Sequence, residues 1–376
     1  MTTTDKHAML KKERRKLWGW GAWAVMGLVG IAVVLTAVRG HKVRAQDSGL
    51  SARCQLGDSG CLQANTITAD RFWASERAKP LADRISPAWP GVVELMTWEN
   101  DREHFPHRPR PAQPDAAFLA DMRAAITTLP SAVLRLVEHR LAGIQLVADL
   151  GSSGYSDYVY DPDGKPTGAM VVLDAGVLQS LSANGWASWK ESTPFANDRA
   201  WSLQAQLEEE GSNNRIQALQ YILLHEFAHV LASTYAVHPR WDMAPAQAAK
   251  QGSFAFFNLS WSVDAKSGQY ASRFDDTFAQ RRDIRYYVGP SMPANSMLAA
   301  YKMLGATNFP TLYAATKPGD DFAESFASYV HVVQQKRPWT ITIRHDGAAD
   351  FVFKACWDEP RCADKRKLLD ALLAAP

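Results

Sequence analysis

The stretch Leu223-Leu224-His225-Glu226-Phe227-Ala228-His229-Val230-Leu231 carries two histidines four residues apart, with a glutamate between them. On an α-helix, positions i and i+4 lie one turn apart on the same face. Two imidazoles at that spacing can hold one Zn²⁺, each at about 2.0–2.1 Å. Glu226 then stands beside the ion, placed to take a proton from an attacking water. Upstream, Arg215 to Leu224 continue a helical pattern without Gly or Pro. Ser212 or Asn213 offers a cap, and Pro239 marks the end. The flanks are apolar on nearly all sides, and a buried His-Glu-His cluster needs a reason such as a metal.

A catalytic zinc needs a third protein ligand and an open position. The pattern that adds a His six residues after the second His fails here. Ala232 stands at its Gly position and Tyr235 at its His position. His238 is three residues late and adjoins Pro239. A better candidate lies in Asp320-Asp321-Phe322-Ala323-Glu324-Ser325-Phe326-Ala327, the start of a second helix whose acidic first turn suits the helix dipole. Glu324 sits there among Phe322, Phe326 and Ala327, where a carboxylate is paired or metal-bound.

Together the two motifs resemble the gluzincin metallopeptidases, in particular the group similar to the catalytic domain of anthrax lethal factor. The resemblance spans about residues 115–335, but only the two short motifs are specific. It implies one zinc per chain held by His225, His229 and Glu324, with Glu226 as general base. It also implies a zincin-like α+β domain in which an edge strand beside the zinc helix binds extended peptide by strand addition. Met170-Val171-Val172-Leu173-Asp174 is the expected edge. Two departures stand out. Thermolysin-type relatives carry an Asp four residues after the Glu ligand, to orient a zinc-binding His; here that residue is Ser328. The Tyr that stabilises the oxyanion in lethal-factor-like enzymes has no equivalent at the same spacing. Tyr313 is the nearest substitute, with His331 as another, seven residues beyond Glu324.

Before these motifs, Lys6, Lys11, Lys12, Arg14, Arg15 and Lys16 precede an uncharged run from Leu17 to Val38. At 1.5 Å per residue the run spans roughly 33 Å, enough for a bilayer core. Trp18, Trp20 and Trp23 cluster at its basic end like an interfacial belt, and the charge bias places residues 1–16 in the cytoplasm and the rest outside. The expectation is an uncleaved signal anchor over 17–38. Val43-Arg44-Ala45 leaves a cleaved, secreted form as the alternative. The four cysteines fit an oxidising compartment. Three pairings are open to them, two local loops (54–61 and 356–362) being the simplest. A net charge of +2 supplies no field for nucleic acid.

Residues 39–114 read as a stalk ending in a Pro-rich strap, with His104 and His107 as solvated linker residues. The catalytic domain is expected over 115–376. Asp115 caps one helix, Pro130-Ser131 opens a second, and Gly143 ends it. Strands follow at Ile144–Ala148, Tyr155–Tyr160 and Ala169–Leu173, the last two flanking the turn Asp161-Pro162-Asp163-Gly164. Phe254 to Trp261 can wall a pocket or fill the core. The order of elements is α+β. The resulting expectation is a membrane-anchored, cell-envelope zinc metallopeptidase acting on a peptide or protein substrate. The alternatives are a non-catalytic binding or scaffold protein with the same fold, and a zinc hydrolase of cell-wall peptides.

Overall fold

A computed structural model describes residues 66–240, 243–251 and 254–375. The chain divides into units 1–53 and 54–376, and the described residues all belong to the second. The expected span Leu17–Val38 and the cysteines Cys54 and Cys61 lie outside them. Among the described residues no single helix is long and apolar enough to cross a membrane.

The fold is α+β. A mixed five-stranded sheet is built from β1 (Ile85–Pro87), β2 (Arg110–Pro111), β3 (Leu141–Ala148), β4 (Gly154–Tyr160) and β5 (Pro166–Asp174). The strand order is β1-β3-β5-β4, with β2 sharing the outer side of β3 with β1. β3 and β5 pair in parallel, and β4 runs antiparallel to β5 after the Asp161–Gly164 turn, where Gly164 takes a φ of +76°. A second sheet has the antiparallel order β10 (Ala348–Lys354), β9 (Thr340–His345), β6 (Trp201–Gln206), and β7 (Trp261–Val263) pairs with β8 (Tyr270–Ser272). Among the described residues, eight helices reach eight residues or more: α1 (Pro90–Arg102), α2 (Ala116–Thr127), α3 (Ser131–Glu138), α4 (Ala183–Ser192), α5 (Arg215–Ala232), α6 (Met297–Leu304), α7 (Pro318–Tyr329) and α8 (Ala363–Ala374).

Three expectations are corrected. Met170–Asp174 lies in β5, between β3 and β4, so the edge is β4. An apolar run buried on both faces is what a central strand requires. Residues 66–114 are no stalk: Trp73 and Trp98 are buried, and β1 and β2 extend the sheet. Pro87 and Pro111 sit in these two short outer strands, where a missing N–H is tolerated, and Pro90 opens α1. Gly143 does not end a helix. It lies inside β3, where an added Cβ would come within 2.7 Å of the Trp73 ring, so only Gly lets that ring pack.

α5 packs on β4 and β5 with one side and on α7 with another. Its cap is Asn214, whose side chain accepts the Ile216 N–H at 2.9 Å. α7 begins with Pro318 in its first turn and Asp320 and Asp321 next, as an N-terminus favours. The buried Asp321 pairs with Lys365 of α8 and accepts the Trp261 indole N–H at 3.0 Å, which ties the C-terminal helix to the site helix. Just before α8, Cys356 and Cys362 form a disulfide, the local pairing expected for this half. Phe254, Phe256, Phe257 and Trp261 fill the core, with Phe256 against Phe322 at 5.1 Å.

Candidate active site

α5 and α7 run antiparallel, and their side chains meet turn by turn. His229 Nε2 faces Asp320 Oδ1 at 3.9 Å. One turn back on α5, His225 Nδ1 meets Glu324 Oε1 at 2.9 Å. A further turn back, the Tyr221 ring packs edge-on against His331 at 5.3 Å. The helical spacing therefore brings His225, Glu226, His229 and Glu324 together. His331 lies beyond them, because seven residues along a helix is about 10.5 Å.

The ionisation of Glu324 sets the tautomer of His225. Burial alone would raise the Glu324 pKa. The Lys190 charge and the His225 hydrogen bond outweigh it and hold the carboxyl at about 2. An ionised carboxylate only accepts, so Nδ1 of His225 is the donor. Against the effect of burial, Glu324 raises the pKa of this ring, and in its neutral form Nε2 carries the free lone pair. This is the arrangement in which a carboxylate orients a metal-binding imidazole. At His229, burial and the neighbouring His225 and His238 push the pKa well down, so the ring is neutral, as ligation requires.

His225, His229 and Asp320 each offer one donor atom, all within 4.8 Å of one another. Two imidazoles and a carboxylate form a donor set suited to zinc, so the residues present fit the ion. Glu324 also has a buried Oε2 with no hydrogen-bond partner, and this carboxylate can still offer one oxygen. Its other oxygen is shared between His225 and Lys190, whose Nζ lies at 2.8 Å. Lys190 also pairs with Glu191 at 3.3 Å, and Glu191 is fixed by the hydroxyls of Tyr286 and Tyr301 at 3.0 and 2.8 Å.

Glu226 accepts the Ser156 hydroxyl on Oε2 at 2.6 Å, and a Cβ at residue 154 would lie 2.5 Å from its Oε1. Gly154 thus lets the edge strand and the glutamate share the space. Burial raises the Glu226 pKa above the ordinary range, which suits a proton acceptor working near neutral pH. Glu226 and Gly154 line a small cavity of about 30 Å³ with His225, Glu324, Lys190, Tyr287 and Tyr313. That volume admits a water-sized nucleophile. Tyr313 stacks on His225 at 5.7 Å, and burial keeps its phenol protonated and able to donate. Tyr287 opens on the same cavity and on a neighbouring cleft of about 890 Å³.

The remaining candidates fall outside this cluster. His238 donates Nδ1–H to the Pro239 carbonyl at 2.6 Å and sits across Gly319 from His229 without joining the three donors. Asp321 is consumed by Lys365. His331 is corrected from oxyanion helper to a structural strap, its Nε2 shared between the Leu207 and Pro338 carbonyls at 2.8 and 3.1 Å. Burial lowers its pKa to about 4 from 6.5. Between those values the unfolded chain takes a proton that the folded chain refuses. Stability from this group is therefore complete above pH 6.5 and falls by about 3 kcal/mol as pH drops to 4. In urea titrations from pH 8 to 4, His331→Gln should flatten the decline by a comparable amount; equal slopes in both proteins would refute the assignment.

Sequence reasoning missed Lys190, Ser156, Gly154 and Tyr287, which belong to no motif. Asp320 was legible as the residue four before Glu324, one turn down the same face. No family model, curated protein or solved structure matches the chain.

Proposed function

We propose that the chain is a zinc-dependent hydrolase of peptide bonds, with its folded domain held outside the cytoplasmic membrane. The observation that carries this reading is the convergence of two imidazoles and a carboxylate beside the buried, proton-accepting Glu226. His225, His229 and Asp320 would hold the ion, and Glu324 orients His225 through Nδ1. This reassigns the gluzincin-type pattern by one turn of α7. It also supplies the orienting carboxylate that Ser328 cannot provide. When bound, zinc supplies Lewis-acid polarisation of the carbonyl and acidifies the attacking water.

Glu226 takes the proton from that water and returns it to the departing amine nitrogen. Tyr313, and Tyr287 beside it, can donate a hydrogen bond to the oxygen that gains charge. β4 is the outer strand of its sheet and places Gly154 and Ser156 against Glu226. A peptide lying along it by strand addition would present its backbone to the base.

The test is metal content with turnover of a mixed peptide library. Protein purified without chelators should carry one zinc per chain, and His225→Ala or His229→Ala should lose both zinc and hydrolysis. A wild-type protein that takes up no zinc when supplied with it would sink the reading. Zinc-loaded protein that leaves all peptides intact would favour the scaffold alternative.

A further inference from the structure

Among the described residues only four large apolar side chains are exposed, and two of them lie at the rim of the wide cleft next to the small cavity. Trp189 of α4 is 36% exposed and lines the cleft; Val288 is 51% exposed and sits between the lining residues Tyr287 and Gly289. Tyr287 has a φ of +68°, in the left-handed region, and Gly289 follows at +88°. A bulky residue keeps that conformation only where its surroundings over-determine it, and such positions gather at ligand clamps. Here the Tyr287 ring is fixed from both sides. It packs on Trp189 at 5.7 Å toward solvent and on Tyr313 at 6.3 Å toward the interior. Tyr313 in turn stacks on His225. A row of rings thus leads from the rim to the site. Part of the lining is polar, with His107 paired to Asp149 at 2.8 Å and Arg110 at 3.9 Å from the same carboxylate.

We propose that this cleft is the subsite for a large apolar side chain of an extended peptide, received between Trp189 and the Tyr287–Pro290 turn. The peptide's polar backbone would face Asp149 and Arg110. The inference rests on the peptidase reading and deepens it. The cleft's volume, about 890 Å³, is that of a pocket for a whole small ligand and leaves room for neighbouring peptide residues beside that side chain. Val177, Phe195 and Pro290 supply apolar lining in the same cleft as Trp189, among polar neighbours such as Ser192, Thr193 and Asn197.

The test uses full-length Glu226→Gln protein in detergent, loaded with zinc, which can bind peptide without cleaving it. Fluorescein-labelled alanine peptides carrying one Trp, Phe, Leu, Ala or Asp are titrated by fluorescence anisotropy. The Trp, Phe and Leu peptides should bind about tenfold or more tightly than the Ala and Asp peptides, as burial of a large side chain in a fitted pocket allows. Trp189→Ala should reduce that preference to about threefold or less, and Val288→Asp should weaken the apolar peptides selectively. Equal binding of all five peptides, or a preference untouched by both substitutions, would overturn the proposal. So would a chitooligosaccharide that binds more tightly than any peptide. Failure of the peptidase reading itself shows separately, as absence of zinc or of hydrolysis in the wild-type protein.

Discussion

Glu226→Gln is expected to keep the fold and the zinc while losing roughly 10²–10⁴-fold in turnover. Glu226 is not among the three clustered donors. Its recorded partner is Ser156, at 2.6 Å from Oε2. An amide of the same shape keeps that hydrogen bond but cannot accept the proton. Gly154→Ala is the structural companion, since a Cβ there would lie 2.5 Å from Oε1 and must push the carboxylate aside. It should lower turnover while leaving zinc stoichiometry unchanged. Metal analysis and peptide turnover on the same preparations check both. Loss of zinc in Glu226→Gln would mean that this residue is a ligand.

Asp320→Ala and Glu324→Gln should separate the ligand from the group that orients one. Asp320→Ala is expected to weaken zinc binding by more than about 100-fold. Glu324→Gln should cost roughly 10–100-fold, the usual effect of removing a partner behind a ligand. The stability effects should run the other way. Glu324→Ala strips Lys190 and His225 of a shared buried partner and should destabilise the metal-free protein by about 3 kcal/mol. Asp320 is less buried, faces His229 at 3.9 Å and accepts the Thr316 hydroxyl at 3.1 Å, so Asp320→Ala should cost the metal-free protein about 1 kcal/mol, less than Glu324→Ala. Zinc affinity by competition with a chromophoric chelator, and urea unfolding in its absence, read the two effects. If Glu324→Gln loses zinc while Asp320→Ala keeps it, Glu324 is the third ligand and its buried Oε2 is the coordinating atom.

What the sequence determined by itself is local. The spacing of His225, Glu226 and His229 is a property of one helical turn, so their shared placement followed once α5 was recognised. The same holds for the turn at Asp161–Gly164, for the cap of α2 at Asp115, and for Cys356 with Cys362, which close a short loop. The α+β class was legible because each element's periodicity is written along its own segment. What only the tertiary structure decided is which distant segments meet. Asp320 and Glu324 are equivalent along α7, both acidic and one turn apart. The antiparallel packing of α7 on α5 sets one against His229 and the other against His225. Lys190 reaches Glu324 across more than a hundred residues, and its charge makes that carboxylate an acceptor only. The apolar run of β5 looked the same whether edge or centre, until pairing with β3 and β4 placed it inside the sheet. The prolines of 66–114 suggested an extended strap, but burial of Trp73 and Trp98 draws that segment onto the domain. Spacing within a turn is set by backbone geometry, whereas contacts between turns are set by the packing of surfaces that no single segment contains.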